Sequence, residues 1–201
     1  MALSSAELTS TALLENLHDA KNQAIWREFD GRFRPLLVSF GRRLGLEAED
    51  AADLAQETLL HFVRDYRAGK YDRSRGRLGA WLMGIARHRL GDAFRKKATR
   101  RETRGESAII SLPDESEMSA IWESECRQTV LESAMREMGE TSRVSKLTLE
   151  AFRLHVVDEL SAQDVANRLG TTPRAVYMAK HRCLRRLRTV VDVMNERFGL
   201  V

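Results

Sequence analysis

The chain has 201 residues, 43% hydrophobic and 31% charged, which suits one domain or two small ones and is too apolar for a disordered chain. Three prolines, twelve glycines and few β-branched runs favour an all-helical fold, and the net charge of +4 is modest. No run reaches the ~18 apolar residues of a membrane span, no basic start leads into an apolar leader, and Cys126 and Cys183 form no CxxC, so a cytoplasmic chain without membrane insertion is expected.

Met1 to Thr11 is polar. Ala12 to Ala24 has helical spacing through Leu13, Leu14 and Leu17, and Ile25 to Leu44 continues it through Trp26, Phe29, Phe33, Leu36, Leu37 and Phe40. Pro35 is a point for a kink, and Gly45 ends the helix. Glu47 to Tyr66 is the next helix, its core stripe being Ala55, Leu59, Phe62, Val63 and Tyr66. Asp53, Gln56 and Glu57 share its opposite face by i, i+3, i+4 spacing. Arg67 to Arg77 is a loop rich in Arg and Gly, with Tyr71 as its aromatic.

Leu78 to Lys97 is a long helix with a core stripe of Leu78, Leu82, Ile85, Ala86, Ala93 and Phe94. Trp81 neighbours that stripe and reads as core. Gly84, Arg87, His88, Gly91 and Arg95 form a second stripe. Each mid-helix glycine there costs about 1 kcal/mol against alanine, and it permits close approach of either a ligand backbone or another helix. Thr99 to Met118 breaks the periodicity and reads as a linker. Helical patterns return over Ser119 to Gly139 and Leu147 to Leu160.

Gln163 to Leu187 reads as a helix-turn-helix. Small Ala166 allows close helix passage, Gly170 supplies a left-handed end, and Val176 faces back to the first helix. Thr171, Thr172 and Pro173 restart the chain with a Thr N-cap and a Pro at the first helical position. The second helix carries Arg174, Lys180, His181, Arg182, Arg185, Arg186 and Arg188 with no acid among them. Such a helix suits a phosphate-lined major groove, although the same geometry also occurs in plain helical bundles.

Charge is unevenly spread. Ala86 to Arg104 holds eight Lys or Arg against Asp92 and Glu102, whereas Glu106 to Glu140 holds nine acids against Arg127 and Arg136. Two basic patches thus flank an acidic middle, which suggests two nucleic-acid contacts. The five histidines show no metal spacing, and no phosphate loop or nucleophile constellation is present. No cofactor, metal or enzymatic activity is expected.

Three features in order carry a resemblance. Asp50-x-x-Asp53-Leu54-x-Gln56-Glu57 begins one helix; Leu78-x-Ala80-Trp81-Leu82-x-x-Ile85-Ala86-Arg87 leads into Arg95-Lys96-Lys97; the helix-turn-helix follows. Together they resemble bacterial RNA polymerase sigma factors of the extracytoplasmic-function (ECF) group, in the sigma-70 family. The resemblance implies an all-α fold of two small helical domains joined by a linker, the C-terminal one with the helix-turn-helix. It divides the chain into an N-terminal extension (1–24), a region 2 domain (25–101), a linker (102–122) and a region 4 domain (123–201).

The resemblance also implies roles. Asp50, Asp53, Gln56 and Glu57 would dock on core RNA polymerase, mainly its β′ subunit. The Arg67 to Arg77 loop with Tyr71 would capture a base flipped from the −10 strand, and His88 stands where many relatives carry Asn beside that base. Arg87, Arg95, Lys96, Lys97, Arg100 and Arg101 would follow the −10 backbone. Arg174, Tyr177, Met178, His181 and Arg182 would read the −35 duplex, and Arg185, like Arg186, would touch phosphate. Relatives of this group commonly have an anti-sigma factor wedged between the two domains, and the linker would permit one. The polar segment Gly139 to Lys146 departs from the family's short Pro-containing turn. The rival functions are a stand-alone helix-turn-helix transcriptional regulator and a protein-binding adaptor; neither needs the Asp53 to Glu57 face.

Overall fold

A computed structural model describes the backbone of residues 10–19, 22–103, 113–141 and 144–198. In these residues eight α-helices follow one another: α1 (Ser10–Asn16), α2 (Gln23–Arg43), α3 (Ala48–Arg67), α4 (Leu78–Thr103), α5 (Glu115–Thr141), α6 (Lys146–Phe152), α7 (Ala162–Leu169) and α8 (Pro173–Phe198). A 3-10 turn occupies Arg73–Arg75, and α6 passes into a π-helical turn at Arg153–Val157. The chain divides into two compact units, residues 1–129 with 195–201, and residues 130–194. The division falls inside α5 and α8, so each of these helices contributes to both units. Among the described residues no helix is long and apolar enough to cross a membrane, and no group of His, Cys, Asp or Glu is placed to hold a metal ion.

The first unit is built on α2, α3 and α4. Phe29, Phe33, Leu36, Leu37 and Phe40 of α2 are fully buried, as are Leu59 and Phe62 of α3 and Leu82 and Leu90 of α4. The close pass of α2 on α3 depends on Gly41, where an added Cβ would lie 3.1 Å from Leu54 Cδ2 and 3.2 Å from Ala51 Cβ. Pro35 lies inside α2 without ending it. It is exposed, and so is Gly31, whose carbonyl loses its partner to the missing N–H; water can satisfy it.

Helix extents differ from the sequence pattern at four places, one being that α5 starts at Glu115, inside the stretch read as linker. The Ala12 to Leu44 periodicity is broken, because Asn22 caps a new helix by accepting from the Ile25 N–H at 3.2 Å. Helix α4 runs past Lys97 to Thr103, a polar stretch of good helix formers that buried-residue periodicity does not register. Leu147 to Leu160 is not one helix: a π turn follows α6, and Glu159 at φ 57 ends it.

In the second unit Ala151, Leu154, Ala162, Val165, Ala166, Val176 and Ala179 form one buried cluster. Met138, Phe152 and Cys183 form another. Apart from Leu154, the first is made of alanine and valine side chains contributed by α6, α7 and α8. Both cysteines are free thiols and buried. Burial pushes the Cys126 thiol up to about 12 and raises that of Cys183, whose Sγ lies 3.9 Å from the Thr148 carbonyl oxygen.

Candidate functional site

The helix-turn-helix is assembled by its caps. Ser161 accepts from the Asp164 N–H at 3.1 Å and starts α7. Gly170, at φ 61 and ψ 39, ends it in the left-handed region, and the Thr171 N–H reaches back to the Ala166 carbonyl at 2.9 Å. Thr172 then caps α8 by accepting from the Ala175 N–H at 3.2 Å, with Pro173 as the first helical residue. Gly170→Ala is expected to lower stability by about 1 kcal/mol, read as an earlier urea midpoint with an unchanged slope.

Arg174, Tyr177, Met178, His181, Arg182 and Arg185 are all exposed on α8. Their i, i+3, i+4, i+7, i+8, i+11 spacing puts them on one face, opposite buried Val176, Ala179 and Cys183. Tyr177 and Met178 are 52% and 54% exposed, unusual for apolar side chains and suited to contact with base edges or methyl groups. His155, which helical periodicity does not single out, is half-buried. Its Nδ1 donates to the Leu160 carbonyl at 2.8 Å, and its ring meets Tyr177 edge-on with centroids 5.6 Å apart. The π turn thus braces the Tyr177 ring.

In the first unit, Asp53, Gln56 and Glu57 are exposed on α3 and Asp50 is half-buried. Leu60 lies on the same face, three residues beyond Glu57, and is 53% exposed. The exposed leucine adds an apolar side chain at the end of this row of acids and an amide. Periodicity alone does not single it out, because it reads as an ordinary neighbour of core Leu59.

The loop after α3 is tethered at its start. Asp65 accepts from Lys70 Nζ at 2.9 Å and lies 3.0 Å from His61 Nε2, and the Lys70 N–H bonds to the Asp65 carbonyl. Burial would raise the Asp65 carboxyl, but the Lys70 hydrogen bond and the charges of His61, Lys70 and Arg64 hold it below its ordinary value. Gly69 turns the chain at φ 72. Asp72 caps the Arg73–Arg75 turn, accepting from the Ser74 N–H at 2.9 Å and the Ser74 hydroxyl at 2.7 Å.

This path brings Tyr71 back onto Trp81, with ring centroids 4.8 Å apart and planes 13° from parallel. Trp81 also meets Phe62 edge-on at 4.9 Å. Trp81 is therefore not core: it is half-buried, because the returning loop covers one ring face only partly. With Lys70, Asp72, Arg75, Gly76, Arg77 and Ala80, the Tyr71–Trp81 pair lines a cleft of about 390 Å³. An aromatic wall with guanidinium groups at its mouth can stack a planar base and pair its phosphate.

Beyond the cleft, α4 presents exposed His88 and Arg95 and half-buried Arg87. Arg87 pairs with Glu115 and Arg95 with Asp92. An added Cβ at Gly84 or Gly91 would meet nothing within 4 Å among the described residues, so neither glycine is demanded by close helix packing there. The side chains of Lys96, Lys97, Arg100 and Arg101 lie outside the described residues, as do residues 104–112 of the linker.

Comparison with known proteins agrees with this arrangement. Residues 30–100 match the family pattern of sigma-70 region 2. The chain is 32% identical over 169 residues to the ECF RNA polymerase sigma factor SigD of Mycobacterium tuberculosis, covering 81% of this chain and 74% of that protein. The SigD of Mycobacterium bovis matches equally. The ECF RNA polymerase sigma factor RpoE of Cereibacter sphaeroides is 25% identical over 171 residues, covering 85% of this chain and 91% of the relative. A region 2 match over α2 to α4, followed by a capped helix-turn-helix and a relationship spanning both, leaves one conclusion: the chain belongs to the ECF group of the sigma-70 family of RNA polymerase sigma factors.

Proposed function

We propose that the protein directs core RNA polymerase to its promoters through three separate surfaces. The exposed face of α3, with Asp50, Asp53, Gln56, Glu57 and Leu60, docks on the polymerase, mainly on its β′ subunit. Residues 25–101 engage and open the −10 element, with the Tyr71–Trp81 cleft taking a flipped base and His88 beside it. Arg87, Arg95, Lys96, Lys97, Arg100 and Arg101 follow the strand backbone, and residues 123–201 read the −35 duplex through α8.

The observation that carries this reading is the exposed acid-amide face of α3 in a chain that also holds an exposed, acid-free recognition face on α8. A stand-alone regulator requires only the second. Division of labour also follows: a single helix-turn-helix supplies few phosphate contacts, so duplex affinity without polymerase is weak.

Reconstituted transcription tests the proposal. Purified protein with core polymerase gives a defined start on a promoter selected from a random library; no detectable binding to core polymerase sinks it. Arg182→Ala weakens −35 binding by roughly 1–3 kcal/mol if its guanidinium reads a guanine edge. Binding titrations on cognate and scrambled −35 duplexes check this, and equal loss on both makes Arg182 a phosphate contact.

A further inference from the structure

The N-terminal extension had no role in the sequence, yet it is built into the first unit. Leu13, Leu14 and Leu17 are 0%, 6% and 1% exposed. Two contacts then run from its end to the tip of α3. Arg67 Nε donates to the Leu17 carbonyl at 2.9 Å, and the His18 ring lies 4.6 Å from that of Tyr66. Tyr66 in turn faces Phe62 at 5.9 Å and Tyr71 at 6.0 Å. The rings of His18, Tyr66, Tyr71 and Trp81 thus form a continuous series from the N-terminal segment to the cleft wall.

Tyr66 and Arg67 are the last residues of α3, immediately before the loop that carries Tyr71. A helix end of this kind frays unless something holds it. Here the Leu17 carbonyl holds Arg67 and His18 covers the outer side of Tyr66. His18 is itself exposed, so its contact with Tyr66 adds little to the core. Its consequence falls on the direction in which the loop leaves.

We propose that residues 13–18 are a positioning element for nucleotide capture: His18 and the Leu17 carbonyl fix the Tyr66–Arg67 end of α3 and, through it, the Tyr71–Trp81 stack. The inference rests on the reading of that cleft as the site of a flipped −10 base. His18 and Arg67 touch no base; they set the plane on which one stacks, and a small tilt of that plane weakens stacking steeply.

The test uses the full chain with His18→Ala and His18→Phe. Three measurements are made: hydrogen exchange of the 68–77 amides, holoenzyme affinity for a single-stranded −10 oligonucleotide carrying 2-aminopurine, and affinity for core polymerase. His18→Ala speeds exchange in the loop and in the last turn of α3 but not in α2 or the rest of α3, weakens strand affinity about tenfold and leaves core affinity unchanged. His18→Phe keeps a ring on Tyr66 and restores both loop protection and strand affinity. Unaltered loop exchange in His18→Ala, or a His18→Phe protein that behaves like it, overturns the inference alone. Faster loop exchange with unaltered strand affinity overturns the base-capture reading on which it rests.

Discussion

Phe62→Ala is expected to remove about 3–5 kcal/mol from the stability of the first unit. Phe62 is fully buried and is the hub of the aromatic cluster. It stacks on Phe29 at 5.0 Å and on Tyr66 at 5.9 Å, and it meets Trp81 edge-on at 4.9 Å. Truncation loses the transfer free energy of the ring and leaves a cavity that helices fixed by Gly41 packing cannot easily close. Against a typical total of about 5–15 kcal/mol this is a large share. Urea unfolding checks it through the transition midpoint. Phe62→Leu keeps most of the volume and is expected to cost about half as much or less. Strand capture should fall in both variants, because Trp81 loses the edge contact that sets its plane. A midpoint unchanged by Phe62→Ala would show that the ring is not a structural hub.

Glu57→Lys is expected to weaken binding to core polymerase by about 2–5 kcal/mol, roughly 30-fold or more, with unfolding almost unchanged. The stability arm follows from exposure: Glu57 sits on the outer face of α3, and surface substitutions usually shift stability by less than about 0.5 kcal/mol. The binding arm follows from charge. A carboxylate beside Asp53 and Gln56 can accept charge-assisted hydrogen bonds from a basic partner, and a lysine there presents like charge. Glu57→Gln removes the charge but keeps an acceptor, so it should fall between wild type and Glu57→Lys. The loss should shrink as salt rises. Titration of labelled core polymerase with each variant measures all three, and equal affinities would remove this face from the interface.

The helical architecture was legible because its chemistry is local. Gly170, Thr172 and Pro173 dictate the turn before α8 by backbone angle and capping alone, and the structure has each in that capacity. The stripes of α2 and α3 were equally readable, since burial on one face imposes the period. What spacing does not disclose depends on chain return. Nothing in the spacing of Tyr71 and Trp81 says that a tethered loop folds one ring onto the other, so Trp81 passed for core. His155 was hidden likewise, because its partners lie across a π turn that periodicity cannot register. His18 and Leu17 reach α3 only through tertiary packing. Asp65, a carboxylate in a helix's last turn, contradicts the dipole preference and so marks a loop anchor only once Lys70 is seen beside it.

The burial of the two thiols has a chemical consequence. Thiol–disulfide exchange and peroxide oxidation both proceed through the thiolate. With its proton held up to about 12 by burial, Cys126 stays a thiol at neutral pH. Cys183, fully buried, is also raised, because its desolvation outweighs the opposing charge of Arg182. The pair therefore gives oxidants no nucleophile at the surface, and a single cysteine introduced on the Arg73–Arg75 turn would be the site of fast alkylation, open to a reporter dye that leaves the native sulfurs untouched.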